Sequence, residues 1–492
     1  MPCKPLYRST HTLYSHNFAL EGAIFALEVP YLLFALLLMI DHDYENHNLT
    51  TEDERGILLA LQQHDRVCRI RLRVPIPSLQ KLITAIDNEF PILEFLYIGS
   101  HAKHNTCVAL PLTFEAPQLR HLILRHLASP IRSPLLTTAI GLVTLALRWT
   151  YPSTYPHPNH LLQPLSLLPH LVTLEIGFRS PVPKRDIERC LLNAPMATYL
   201  TLPNLRLFTF WGASAYLEAL LPQMRTPLLE TLNVHFFNQL IVSLPRLLQF
   251  ITITENLRFD DVTFVFFREG VSAMAFPNTR TELTSFYIDV WCGHLDWQVS
   301  SMAQIFSVLG PLFSTVVKLT LDYTEHSLSS EWHNQANRTQ WRELLGSFRN
   351  VETLCIHKDL FGEVSHTLQL DGDPPLEILP ELKELVCPVG SCDDRAFASF
   401  IQDREVAGRP INVIEDAFPV SRHNIEFDCS AGVVFGWGGL CHRRPRSHAI
   451  AARPQTRVVA RPTVTTTAGA SRPQLNSLFT VAHPGPDSQT IP

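Results

Sequence analysis

The chain has 492 residues, beyond one ordinary domain, so it is either multi-domain or built from repeats. Hydrophobic residues make up 46% and charged residues only 17%, a balance that suits many short buried segments joined by turns. The net charge of −6 divides into +6 on residues 430–492, with seven Arg and one Asp, and −12 on everything before them, which excludes a nucleic-acid binder with a basic folded face.

In chain order, residues 18–40 are apolar but broken by Glu21, Glu28 and Pro30. The uninterrupted run 31–40 is too short to span a bilayer and reads as part of a buried helix, with no membrane partner implied. Neither flank has the layout of a secretory signal. Asp41, Asp43, Glu45 and Glu52 follow at the spacing of a calcium loop, yet Asn46 stands where the sharp turn needs Gly, so this reads as a solvated acidic loop. Residues 1–45 are therefore taken as an N-terminal apolar segment.

From Val67 to Cys387 an apolar-x-x-apolar-x-apolar motif recurs twelve times. Its central members are Ile70, Leu96, Leu122, Leu145, Leu174, Phe208, Leu232, Val262, Phe286, Leu319, Leu354 and Leu385, a mean spacing of about 29 residues. The last two apolar positions of each motif share one side of a strand, and the residues between them share the other. Between strands the period becomes helical, as in Leu79/Leu82/Ile83/Ile86, Met302/Ile305/Phe306/Leu309 and Trp341/Leu344/Leu345/Phe348. Phe397, Phe400 and Ile401 open a further helix that Gly408 can cap.

One strand and one helix per repeat predict an α/β leucine-rich-repeat solenoid over residues 46–415. It would be a horseshoe with a parallel concave sheet and outer helices. The repeats are irregular, because spacings run from 23 to 35 and the Asn or Cys expected three positions past each motif is absent. Residues 416–492 lack periodicity, are rich in Arg, Pro, Thr and Ala, and read as a disordered basic tail.

The stretches TTEDERGILLALQQHDRVCRIRL (50–72), PSLQKLITAIDNEFPILEFLYI (77–98), LLQFITITENLRFDDVTFVFFREGV (247–271) and FASFIQDREVAGRPINV (397–413) resemble the leucine-rich-repeat region of F-box proteins of mushroom-forming fungi. That resemblance implies the substrate-recognition part of a cullin–RING ubiquitin ligase adaptor. Its partners would be a protein substrate and the linker subunit of the ligase. The F-box itself usually opens with Leu-Pro-x-Glu. None occurs in residues 1–40, and Leu27-Glu28-Val29-Pro30 has another order. The alternative is a stand-alone leucine-rich-repeat scaffold with no docking to a ligase.

Candidate protein-binding residues are Arg69, Arg71 and Arg73, which alternate with Ile70, Leu72 and Val74 and form a basic ridge suited to an acidic partner. Tyr97 occupies the matching outward position of the next strand. Aromatic residues Trp149, Phe178, Trp211, Phe236, Trp291 and Tyr323 follow several motifs. Parity assigns Trp149, Phe178, Phe236 and Tyr323 to the core and leaves Trp211 as the exposed member. No catalytic, cofactor-binding or metal-binding pattern occurs: no Gly-rich phosphate loop, no H-E-x-x-H, no paired Cys, and Gly212-Ala213-Ser214-Ala215 misses the nucleophile elbow at its last position. The ten Cys without regular spacing suit a reducing compartment, cytosol or nucleus.

Overall fold

The computed structural model describes residues 37–43, 49–100, 108–128, 130–131, 133–150, 156–179, 199–237, 242–277, 285–324, 338–368, 378–388 and 395–416. These residues form a mixed α/β unit around one sheet of fifteen strands. The strands are β1 (Leu38–Asp43), β2 (Val67–Arg73), β3 (Phe95–Gly99), β4 (His121–Arg125), β5 (Thr144–Thr150), β6 (Thr173–Phe178), β8 (Leu207–Gly212), β10 (Thr231–Phe236), β11 (Asp261–Phe267), β12 (Gly270–Phe276), β13 (Phe286–Val290), β14 (Lys318–Tyr323), β15 (Thr353–Ile356), β16 (Glu384–Pro388) and β17 (Asn412–Asp416). Two further short strands, β7 (Leu200–Thr201) and β9 (Met224–Arg225), pair separately.

The twelve apolar motifs supply twelve of the fifteen strands, and their central members fall into one register row. Ile40, Ile70, Leu96, Leu122, Leu145, Leu174, Phe208, Leu232 and Phe286 stand side by side, followed by Ala275, Val262, Leu319, Leu354, Leu385 and Val413. All twelve central residues are buried. Their row belongs to a single apolar cluster that also takes the inward faces of the helices Ile76–Ala85, Leu295–Leu309 and Arg338–Gly346, as the helical period predicts. The helix Arg395–Val406 ends as expected: Gly408 adopts φ +75, and its N–H reaches the Glu405 carbonyl at 3.0 Å.

Three features differ from the sequence reading. The order of strands is not sequential, for it runs β10-β13-β12-β11-β14, with β12 antiparallel to both neighbours and every other pairing in the sheet parallel. β11 and β12 are joined by a two-residue turn, Arg268-Glu269, and β13 fills the place beside β10. The physical reason is volume. β12 turns only Val271, Ala273 and Ala275 inward, and the Phe286, Ile288 and Phe264 beside them fill the space.

Second, the sheet begins at Leu38, inside the segment expected to stand apart. Leu38, Met39 and Ile40 form a strand where a helix was expected, because an unsatisfied sheet edge next to β2 offers their backbone partners. Asp41 and Asp43 are strand residues as well. Glu45 and Asn46 lie outside the described residues, as do residues 1–36 and the tail from 417.

Third, Trp149 is not in the core. It takes φ +58, the β5–β6 register slips between Leu147 and Thr150, and Thr150 occupies the inward place opposite Phe178. Phe178, Phe236 and Tyr323 are buried as parity required.

The missing Asn ladder is replaced by two others. At the strand ends the backbone bonds to its neighbour directly, as in His126 N–H to Arg148 O (3.0 Å), Arg179 N–H to Thr150 O (3.0 Å) and Thr324 N–H to Phe266 O (3.0 Å). At the strand-start turns asparagine amides do the work. Asn204 donates to the Pro169 carbonyl at 2.9 Å, Asn256 to that of Pro227 at 3.3 Å, and Asn350 to that of Ser314 at 2.5 Å.

Candidate protein-binding surface

Because side chains alternate across a strand, the face opposite the apolar rows carries a second set of register-aligned residues. One row is Asp41, Arg71, Tyr97, Ile123, Ala146, Glu175, Thr209, Asn233 and Tyr287. The next lies three residues past each central apolar position: Arg73, Gly99, Arg125, Arg148, then Gly177, Trp211, His235 and Asp289. Beyond Asp289 the row continues with Ser272, Val265 and Asp322. This is the polar face.

All five residues singled out from the sequence are on it. Arg69 lies over the Phe95 ring, its guanidinium carbon 4.3 Å from the centroid, and Arg71 lies over Tyr97 at 5.9 Å. Arg71 also faces Asp41 at 3.9 Å, with both side chains about half in solvent. Arg73 is 6% exposed, so the third member of the expected ridge is packed in rather than presented. A guanidinium over a ring is held there by the ring's electron-rich face.

Trp211 is half-buried and belongs to a cluster that the sequence reading did not assemble. Its indole stacks on the His235 ring with centroids 4.3 Å apart and planes at 14°. A Cβ at Gly177 would meet Trp211 Cε3 at 3.4 Å, so that glycine leaves the space the indole takes. His235 Nδ1 stands 2.9 Å from Asp289 Oδ1, and Trp291 Nε1 donates to Asp289 Oδ2 at 3.1 Å. Tyr287 packs against His235 at 5.1 Å and shares a hydrogen bond of 2.9 Å with Ser272. Five side chains from adjacent strands thus hold one another in fixed positions around a nearly buried carboxylate.

Between the two groups Arg148 faces Glu175 across β5 and β6. Arg148 Nε stands 2.6 Å from Oε1, and Nη2 donates to Oε2 at 2.7 Å. His121, on the same face, has its pKa held below the ordinary histidine value by burial, then by Arg120. The signal for the missed residues was present in one column, the third position past each central apolar residue. It reads Arg, Gly, Arg, Arg, Gly, Trp, His from Arg73 to His235.

Burial, with help from Asp296 and Asp289, pushes the Cys292 thiol up to about 12, and burial likewise raises Cys355, so both are poor nucleophiles. Among the described residues no cluster of three His, Cys, Asp or Glu stands ready for a metal, and no helix is long and apolar enough to cross a membrane. A groove of about 710 Å³ runs along the strand-start turns past Arg120, Val143, Val172 and Arg206, where Arg206 pairs with Glu230.

No protein-family model and no curated protein matches this chain. Among solved structures it is similar to the leucine-rich-repeat-containing protein LegL7 from Legionella pneumophila, at 13% identity over 69% of this chain and 91% of that one, with a TM-score of 0.27.

Proposed function

We propose that this chain is a leucine-rich-repeat solenoid whose polar face binds a protein, and that it is the substrate-recognition part of an F-box-type adaptor of a cullin–RING ubiquitin ligase. Its contribution is positioning, in the cytosol or nucleus, and the transfer chemistry belongs to other subunits. The observation that carries the reading is the register of the polar face. Arg69, Arg71, Tyr97, Trp211 and Tyr287 are spread over several repeats yet share one surface. Aromatic and arginine side chains held this way are the residue types that dominate binding energy at protein interfaces.

A second reading is a binding scaffold that does not dock on a ligase. One experiment addresses both. The full chain and an I123R/N233R variant, which places two bulky charges mid-face, are used to purify partners from cells. The ligase reading expects the cullin linker subunit in both eluates and substrate proteins only with the unaltered chain. Partners lost with the variant while no linker subunit co-purifies establish the scaffold. Partners indifferent to the variant overturn the polar face as the binding surface.

A further inference from the structure

The rim where the strands begin carries a row of its own. The residue just ahead of the first register pair is Glu94, Arg120, Val143, Val172, Arg206 and Glu230 in the neighbouring strands β3, β4, β5, β6, β8 and β10. The row thus runs acidic, basic, apolar, apolar, basic, acidic. Its backbone is already satisfied from Glu94 to Arg206. The Arg120 carbonyl accepts the N–H groups of Val143 and Thr144 at 2.8 and 3.0 Å, and the other four carbonyls take two N–H groups each in the same way. An added strand finds no partner there, so recognition falls to side chains. The groove of about 710 Å³ opens along these five residues and is also lined by Gly141 and Leu228. A Cβ at Gly141 would meet nothing within 4 Å, Val143 and Val172 are half-buried, and Leu228 is 43% exposed, so apolar surface lies uncovered. Arg120 is exposed and makes no ion pair among the described residues. Arg206 pairs with Glu230, their side chains 55% and 53% exposed.

From this row we infer that the groove takes an extended segment of a partner protein with the pattern acidic-x-apolar-x-acidic. Residues i, i+2 and i+4 of an extended chain share one side, and i and i+4 lie about 14 Å apart. Arg120 and Arg206 are separated by three strand spacings in the order β4-β5-β6-β8, roughly 14 Å at about 4.8 Å each. The two carboxylates therefore meet the two guanidiniums, and the apolar side chain between them rests on Val143 and Val172. At Arg206 the incoming carboxylate displaces only a solvent-exposed pair, which stabilises little. Glu94 and Glu230 limit the charged stretch, because a longer acidic alternation would bring its next carboxylates toward them. The groove uses none of the polar-face residues and is a second binding surface.

The test uses two fluorescein-labelled peptides of identical composition, read by anisotropy against the full chain. One carries Glu-Ser-Leu-Ser-Glu between Gly-Ser flanks, and the other carries Glu-Ser-Glu-Ser-Leu. The first is expected to bind about tenfold tighter, with the gap closing as salt rises. R120E is expected to lose that preference and to regain binding when one Glu of the first peptide is replaced by Lys. G141W fills the groove without altering a charge and is expected to weaken the first peptide about tenfold. Thermal unfolding of each variant reports whether it folds. The I123R/N233R variant alters the other face and is expected to bind the first peptide as the unaltered chain does. Equal binding of both peptides, no rescue by the Lys peptide in a folded R120E, or indifference to a folded G141W overturns the inference. Loss of the peptide with I123R/N233R alone would place it on the polar face and overturn the groove as its site.

Discussion

The run from β2 to β6 and the block from β11 to β14 are built on one register row but from different materials. In the first, the inward pairs are aliphatic, Ile70/Leu72 through Leu174/Ile176, and successive repeats stack in chain order. In the second, Phe264, Phe306, Phe313 and Phe348 pack ring against ring at 4.8–6.1 Å, and Phe266 meets Trp341 at 5.5 Å. Interchangeable aliphatic rungs let each new repeat dock on the last. Large rings take up volume that the small inward residues of β12 leave open, and the chain doubles back to supply that strand.

If that contrast is right, the largest loss comes from emptying the aromatic block. Phe264→Ala is expected to cost about 4 kcal/mol and Leu145→Ala about 3 kcal/mol, read from urea denaturation of each variant. A smaller loss for Phe264→Ala would mean that the block can collapse onto the gap, and the comparison would fail there.

Glycine tests the same contrast in backbone terms. A Cβ at Gly270 would stand 2.5 Å from the Val290 carbonyl oxygen, whereas one at Gly141 meets nothing within 4 Å. Gly270→Ala should cost about 2 kcal/mol by parting β12 from β13, and Gly141→Ala should stay within about 0.5 kcal/mol. Equal effects in thermal unfolding would show that the hairpin yields freely.

Ion pairs rank next. Arg148–Glu175, with side chains 17% and 6% exposed, is expected to show a coupling of about 1.5 kcal/mol in a double-mutant cycle. Lys383–Glu352, at 61% and 46%, should show a markedly smaller coupling, because solvent screens it. A surface pair as strong as the sheltered one would remove burial as the cause.

The smallest effect concerns the junction of the two regions. Glu218 caps the helix Pro245–Thr252 by accepting the Arg246 and Leu247 N–H groups at 2.9 and 2.8 Å. Burial nevertheless raises its pKa above the ordinary glutamate value, outweighing those hydrogen bonds and Arg246. A pKa higher in the folded than in the unfolded state means the folded protein holds that proton more tightly. The contribution is therefore fully present below the unfolded value and is lost as pH rises through the folded one. Stability of the unaltered chain relative to Glu218→Gln should accordingly fall as pH rises from below 4.5, and a rise would show that the two N–H donors outweigh burial.

The sequence by itself determined the inward central residues of the twelve motifs, the helical faces between them, the Gly408 cap and the outward parity of Arg69, Arg71, Tyr97 and Trp211. These depend on period alone, and period is local. Only tertiary structure decided that β13 lies beside β10, that Leu38–Asp43 is a strand, that Trp149 leaves the core, and that His235, Tyr287 and Asp289 gather around Trp211. Arg268-Glu269 carries no glycine signal for a hairpin, and no local pattern says which distant backbone will satisfy an edge. Neighbourhood across a sheet is settled by which volumes and hydrogen bonds fit together once the whole stack has formed.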